Sequence, residues 1–238
     1  MVDILLFSGG VDSLIGYFWL HRPKILYFKM GHKYEKKELN CIENLCKLIP
    51  NLKENLTIID DIKLGKYENG KNAYIRFRNI LMAEVASNYG ERIIICGVKG
   101  DNISDKSLKA YKKMNNCLNE ISKKDDKHIQ IFSPFWTYTK TNLIKWGLEN
   151  IPNFIELLKN SVSCYDEHTL GQCGKCNSCL RKAIALEANN IDFEGWFEND
   201  IKKYSEIQNY IDRMKNKEYD DERTKESLEV FRKWGWEC

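Results

Sequence analysis

Two clusters of residues in this chain could do chemistry. Near the N-terminus, Ser8, Gly9, Gly10, Val11, Asp12 and Ser13 form the run SGGVDS, between an apolar stretch and a helical pattern. The backbone amides of such a loop, at a helix N-terminus carrying partial positive charge, make a cradle for phosphate. The alternative is a plain strand-to-helix turn, with the glycines taking positive φ and Asp12 or Ser13 capping the helix. The run matches neither Gly-x-x-x-x-Gly-Lys-Ser/Thr nor Gly-x-Gly-x-x-Gly. Far along the chain, Cys164, Cys173, Cys176 and Cys179 are spaced C-x8-C-x2-C-x2-C. Four thiolates complete a tetrahedral structural zinc site and leave no open coordination position for catalysis. An iron–sulfur cluster is the competing occupant of C-x2-C-x2-C, and His168, inside the long spacer, is a spare ligand. Cys41, Cys46, Cys96 and Cys117 lie in helix- or strand-like runs and read as incidental thiols.

The elements that must position these clusters are visible as a pattern. Apolar runs at 2–7, 24–28, 56–60 and 92–98 alternate with helical patterns, the first placing Leu14, Ile15, Phe18 and Trp19 on one face, the next two at 33–48 and 73–89. This alternation predicts an α/β fold, a parallel sheet with helices on both faces. Ligands in such sheets bind beyond the carboxyl ends of the strands. SGGVDS, KMGH (29–32) and GVKGD (97–101) therefore converge on one rim, where Lys29 and Met30 are candidates to line an adenine pocket. Further on, 122–128 is a polar connector, 129–135 a strand, 140–151 a helix and 181–188 another. The expected organisation is an α/β domain over 1–160, a cysteine element over 161–190 and a helical extension over 191–238.

Composition bounds the function. With 238 residues, 43% of them hydrophobic, and only four prolines, the chain is neither disordered nor fibrous. It has no apolar run of the roughly 18–20 residues a membrane span needs, and no basic leader, so a cytoplasmic protein with no membrane partner is expected. Nine cysteines, an odd number in a chain of this size, read as reduced thiols. Residues 190–238 carry nine Lys and Arg against thirteen Asp and Glu, so the net +3 divides into −4 on the tail and +7 on residues 1–189. A mildly basic core suits phosphate-bearing ligands without naming one. His32 and His128 stand alone in the sequence and read as surface residues.

SGGVDS resembles the SGGxDS loop of the PP-loop ATP pyrophosphatases, enzymes that split ATP between its α and β phosphates. Taken with SVSCYDEHTLGQCGKCNSCLRKA, it resembles one branch of them, the 7-cyano-7-deazaguanine (preQ0) synthases, through Ser163, Cys164, Tyr165, Cys173, Gly174, Cys176, Ser178 and Cys179. IRFRNILMAEVASNYG, IIICGVKGDN and SPFWTYTKTNLIKWG are similar to further landmarks, with Arg78, Asn79, Gly97, Pro134, Lys140 and Gly147 at matching positions. The resemblance implies an adenine-nucleotide alpha-hydrolase-like fold and a reaction of 7-carboxy-7-deazaguanine, ammonia and ATP. In it the carboxylate is adenylated, ammonia forms an amide, and a second activation dehydrates the amide to the nitrile, with Mg²⁺ and a structural zinc. It assigns Ser8, Gly9, Gly10, Val11, Asp12 and Ser13 to the ATP phosphates, with Asp12 organising Mg²⁺ and Asp12, Ser13 and Lys140 catalytic. Arg78, Asn79, Gly97, Asp101 and Asp105 hold the deazaguanine, and Cys164, Cys173, Cys176 and Cys179 hold the metal.

The chain departs from that pattern where Val-Pro-Gly-Arg-Asn is IRFRN and Tyr-Gly-Gln-Arg-His is MGHKY, and in two larger ways. The family segment D-x-S-G-Y-P-D-C-R is here GDNISDKSLKAYKKMN, which keeps Asp101, Ser104 and Asp105 but not the rest. The tail of about 50 residues after the cysteines is the second departure. Its aromatic residues form either a helical pair packed on the chain's own core or an interface for a homodimer or another partner. These departures leave two other readings: an enzyme that stops at the amide or passes the deazaguanine to a protein or nucleic-acid acceptor, and a non-catalytic nucleotide- or RNA-binding module.

Overall fold

A computed structural model describes residues 1–70, 73–101, 103–123 and 128–238. Five strands, β1 (Asp3–Leu6), β2 (Lys24–Phe28), β3 (Leu56–Ile59), β4 (Arg92–Ile94) and β5 (Gln130–Phe132), form one sheet in the order β3-β2-β1-β4-β5. Every pairing is parallel, and Leu5 lies between Ile25 and Ile94. The order reverses between β1 and β4, so a crevice opens there beyond the strands' carboxyl ends.

The strands are apolar at successive positions because both faces of the sheet are covered. Ile4, Leu6, Leu26, Phe28, Ile93 and Ile131 pack against α4 (Arg78–Ala86) and α5 (Leu108–Ile121). Leu5, Phe7, Ile25, Tyr27 and Ile94 share a core with α1 (Val11–Trp19), α2 (Glu35–Leu48), the short α3 (Leu52–Asn55), α6 (Lys140–Asn150), α7 (Phe154–Asn160) and α8 (Asn177–Ala188).

Helix α4 starts at Arg78, later than the apolar pattern suggests, because Ala73 and Phe77 take left-handed φ of 53° and 61°. Helix α5 is absent from the sequence reading. Its buried stripe is only Tyr111, Met114 and Leu118, among lysines and asparagines that argue against a helix. Two of those asparagines have a tertiary reason. Asn115 exchanges hydrogen bonds with the backbone of Ile131 (2.6 and 3.0 Å), and Asn119 with that of Ile129 (2.7 and 2.8 Å). Their amides cover the open edge of β5 as another strand would. The polar connector at 122–128 falls mostly outside the described residues.

The tail forms α9 (Ile207–Lys215) and α10 (Asp221–Lys233) after a 3-10 turn at Ile201–Lys203. Ile207, Ile211 and Phe231 are fully buried in the same core as Leu5 and Phe7, and Trp234 Nε1 donates to Glu187 of α8 at 2.8 Å. Each such side chain contributes about 1.5–3 kcal/mol by leaving water. The extension is thus a helical pair packed on its own chain. No helix among the described residues is long and apolar enough to cross a membrane.

Candidate active site

The crevice between β1 and β4 opens into a cavity of about 220 Å³, with the SGGVDS loop as its floor. Gly9 takes φ +72°, and a Cβ there would lie 2.7 Å from the Cys41 sulfur, so the loop can pass only as glycine. Cys41 fastens the loop from below, its thiol donating to the carbonyls of Gly9 (3.3 Å) and Asn160 (3.1 Å), while Val162 N–H donates to Gly9 at 3.2 Å. Gly10 is the N-cap of α1 in extended conformation, and no side chain caps that helix. Asp12 and Ser13 lie inside its first turn, and Ser13 Oγ donates to the Gly10 carbonyl at 3.1 Å. The first-turn amides of an uncapped helix need an acceptor. Here they meet a cavity, which favours the phosphate cradle over the plain turn.

Charged side chains crowd the same end. Asp12 forms a hydrogen-bonded ion pair with Lys140, the first residue of α6, and both are largely buried. Burial pulls the Lys140 pKa down, and Asp12 offsets that only in part. Asp101, on the loop after β4, accepts from Arg181 of α8 at 2.7 Å and pairs with Lys106 at 3.2 Å. Burial works to raise the Asp101 pKa, but Lys106 and Arg181 outweigh it and hold the carboxyl well below the usual range. Together with Arg78 and Glu38, the wall carries four cations against three carboxylates, a balance suited to a polyanion. The other wall is aromatic. Tyr34 packs between His32 (ring centroids 4.4 Å) and Tyr165 (5.0 Å) and accepts a hydrogen bond from Arg78 at 3.0 Å.

Replacing Asp101 by alanine is expected to destabilise the fold by about 3–5 kcal/mol, because it strands two partly buried cations. Since its folded-state pKa is depressed, the stability Asp101 contributes is present above its unfolded pKa of about 3.9 and is lost as pH falls toward the folded value. Thermal unfolding of the wild type and the variant from neutral pH to pH about 3 should therefore show a constant gap down to pH about 4 and the start of its narrowing below that, by about 1 kcal/mol at pH 3.

The four sulfurs of Cys164, Cys173, Cys176 and Cys179 all lie within 4.8 Å of one another, and Cys173 and Cys179 are 3.9 Å apart. That spacing is too long for a disulfide and close to the edge of a tetrahedron with metal–sulfur bonds of about 2.3 Å. Backbone N–H groups of Asp166 and Cys173 (both 3.4 Å) point at Cys164 sulfur, and that of Lys175 (3.2 Å) at Cys173. Lys37 of α2, only 2% exposed, donates to Cys164 sulfur at 3.1 Å and to Thr169 at 2.7 Å. A buried ammonium facing sulfur and amides aimed at sulfur are what a thiolate cluster with excess negative charge requires. His168 is exposed and outside the cluster.

The structure brings Ser8, Gly10, Val11, Asp12, Ser13, Met30, Arg78, Asn79, Asp101 and Lys140 to the cavity wall. Gly9 lies just beneath it. Lys29, Gly97 and Asp105 do not line it. Lys29 instead contributes its backbone, with its N–H on Ile59 (2.8 Å) and its carbonyl accepting from Lys63 (3.3 Å). Gly97 is bridged by the Ser133 hydroxyl, and a Cβ there would meet the Trp136 ring at 2.4 Å. His32 is buried at 5% exposure and bonded to Glu38 at 2.9 Å, so it is a wall residue and not a surface one, whereas His128 is exposed. Cys41 and Cys96 are buried with pKa values pushed up to about 12, which leaves both as inert thiols.

Sequence reading missed Lys37, Glu38, Lys106 and Arg181. Arg181 had a signal, since it sits two residues past Cys179 on the helix that the cysteines open. Gly65 was also missed. It and Leu64 donate to the Met30 carbonyl at 2.8 and 2.9 Å, and a Cβ on Gly65 would lie 1.8 Å from the Gly31 oxygen. Gly65→Ala should push the Met30–Gly31 corner aside, at a cost of about 1–3 kcal/mol. Calorimetry measures that cost, and an unchanged melting point would contradict this packing.

A family model described as "Queuosine biosynthesis protein QueC" matches residues 3–190. The 7-cyano-7-deazaguanine synthase of Methanocaldococcus jannaschii is 26% identical over 230 residues, covering 78% of this chain and 94% of that protein. The synthase of Methanobrevibacter smithii is 26% identical over 222 residues (79% and 94%). 7-Cyano-7-deazaguanine synthase 1 of Colwellia psychrerythraea is 27% identical over 217 residues (79% and 94%).

Proposed function

The chain belongs to the QueC family of queuosine biosynthesis, and from that premise we propose that it converts 7-carboxy-7-deazaguanine, with ammonia and ATP, to 7-cyano-7-deazaguanine. It is an ATP-dependent enzyme that forms carbon–nitrogen bonds. The observation that carries the reading is the shared cavity. The uncapped SGGVDS turn forms one side of it, and Ser163, Cys164 and Tyr165 of the thiolate element form another.

In the conversion the carboxyl carbon loses both oxygens and gains one nitrogen. ATP, when bound, supplies the activation that lets each oxygen depart. The amides of Gly10 to Ser13, with the Ser8 and Ser13 hydroxyls, would hold its phosphates, and Asp12 would hold Mg²⁺. Donors fixed before reaction stabilise charge on the leaving phosphates more than in the ground state. Lys140 and Lys106 add cations at that end. Tyr34 and Tyr165, with 57° between their ring planes, and Arg78 form an aromatic wall on which the more exposed Tyr165 ring offers a face for a planar heterocycle. Cys164, Cys173, Cys176 and Cys179 would hold zinc as a structural ion, since all four positions are taken by sulfur. No protein nucleophile enters, consistent with the protonated thiols of Cys41 and Cys96.

The tail gives no argument for a macromolecular acceptor or a homodimer, because its apolar residues face the chain's own core. Incubation with the acid, ammonium and MgATP, followed by mass spectrometry, is expected to give first the amide and then the nitrile. Amide without nitrile would move the assignment to an amide-forming enzyme. Neither product from folded, metal-loaded protein would sink it.

A further inference from the structure

Helix α10 lies beyond the residues that match the family model, yet it grips both loops that carry the charged end of the cavity. Glu222 pairs with Lys99, and the Arg223 guanidinium donates to the Gly100 carbonyl at 2.7 Å, one residue before Asp101. A Cβ on Gly100 would come within 3.0 Å of the Arg223 side chain, so the loop and the helix meet in full contact. Arg223 is itself held in place. Its guanidinium lies 4.3 Å from the centroid of the Tyr219 ring, which stacks on Tyr210 at 5.5 Å with 9° between planes.

One turn further along α10, Glu226 accepts from the Thr139 hydroxyl at 2.9 Å. Thr139 is the N-cap of α6, in a reciprocal capping box with Asn142, and the next residue is Lys140. The two gripped loops are also joined directly, by Lys99 N–H donating to Tyr138 at 2.9 Å. One helix face thus fixes both segments while none of its residues lines the cavity.

We propose that α10 is a positioning brace for the active site, with Arg223 setting the loop that carries Asp101 and Glu226 setting the helix start that carries Lys140. Neither residue touches the reacting atoms. Both act through the residue they hold, and the assignment of those atoms rests on the function proposed above. A displacement of about 1 Å at a reacting group can cost on the order of 100-fold in rate. The brace therefore turns surface-helix contacts into catalytic precision.

The test is steady-state kinetics on Arg223→Ala, Arg223→Lys, Glu226→Ala and Glu226→Gln in the full chain, with melting point and metal content as controls. Arg223→Ala should raise KM for the acid about tenfold while KM for ATP holds. Glu226→Ala should instead lower kcat for AMP formation about tenfold. Glu226→Gln should restore kcat, because its amide oxygen still accepts from Thr139. Arg223→Lys should not restore the acid KM, because an ammonium lacks the planar face that stacks on Tyr219. Equal changes in every constant, tracking the melting point, would show mere destabilisation and overturn the proposal. If the wild type does not turn over the acid, the failure belongs to the proposed function. The brace is then read by hydrogen exchange at Lys99, Gly100 and Asp101, which should quicken in Arg223→Ala, and unchanged exchange overturns it.

Discussion

Replacing Lys140 by methionine is expected to lower kcat for AMP release by about 10²–10³-fold, the loss of some 3–4 kcal/mol seen when one preorganised charge-stabilising donor is removed. Lys140 is 12% exposed, at the start of α6, and is tied to Asp12 within the turn that opens α1. In the reaction proposed above, a cation there would face the negative charge that accumulates as pyrophosphate departs, in a site where burial magnifies each charge. Methionine keeps the chain's length, so the wall stays filled, and Asp12 still feels the cations Lys106 and Arg181. Folding should therefore change less than rate.

The pH profile adds a second reading. Because burial lowers the Lys140 pKa, the proton is lost below the usual lysine range and the wild-type rate should fall on the alkaline side. That limb should disappear in the variant. A kcat within about threefold of wild type, with the alkaline limb intact, would remove Lys140 from the machinery.

Removing the metal is expected to cost more than any single substitution. Structural zinc contributes apparent free energies of about 10–16 kcal/mol in isolated fingers. Here the thiolate element also shares the main core, with Cys164, Cys173 and Cys179 buried among it, so part of that fold survives on packing. A loss of about 5 kcal/mol would lower the melting temperature by roughly 10–20 °C for a chain of this size. Cys173→Ser, or treatment with a strong chelator, should both do this and abolish turnover, since the cavity wall at Ser163, Tyr165, Ser178 and Arg181 hangs on the element. Elemental analysis should find one zinc per chain. Iron with a visible charge-transfer band would instead establish the iron–sulfur alternative, and no bound metal in a stable, active protein would overturn the site altogether.

Both predictions depend on different kinds of legibility. The turn at Gly9 and Gly10, the thiol spacing and the four strand–helix alternations are local, so neighbours along the chain suffice to read them. Helix α5 was hidden because its helical stripe is three residues wide in a lysine- and asparagine-rich segment, and the asparagines serve the edge of β5 and not the helix. His32 reads as a surface residue although Tyr34 and Glu38 stand only two and six positions on, because it is the path of the chain from β2 into α2, and not their spacing, that folds them over its ring.

What the sequence by itself determined is the chemistry on offer: a glycine turn at the first strand able to cradle phosphate, four thiols at a spacing that could hold one metal, and a parallel sheet to bring strand ends together. These rest on backbone geometry and on ligand spacing, which act over a few residues. Only the tertiary structure decided which charges meet. Lys140 reaches Asp12 across 128 positions and Arg181 reaches Asp101 across 80, pairings set by the crossover paths and the switch in strand order. It also decided that the acidic tail lies against its own core, because burial of Ile207, Ile211 and Phe231 outweighs what solvent offers them.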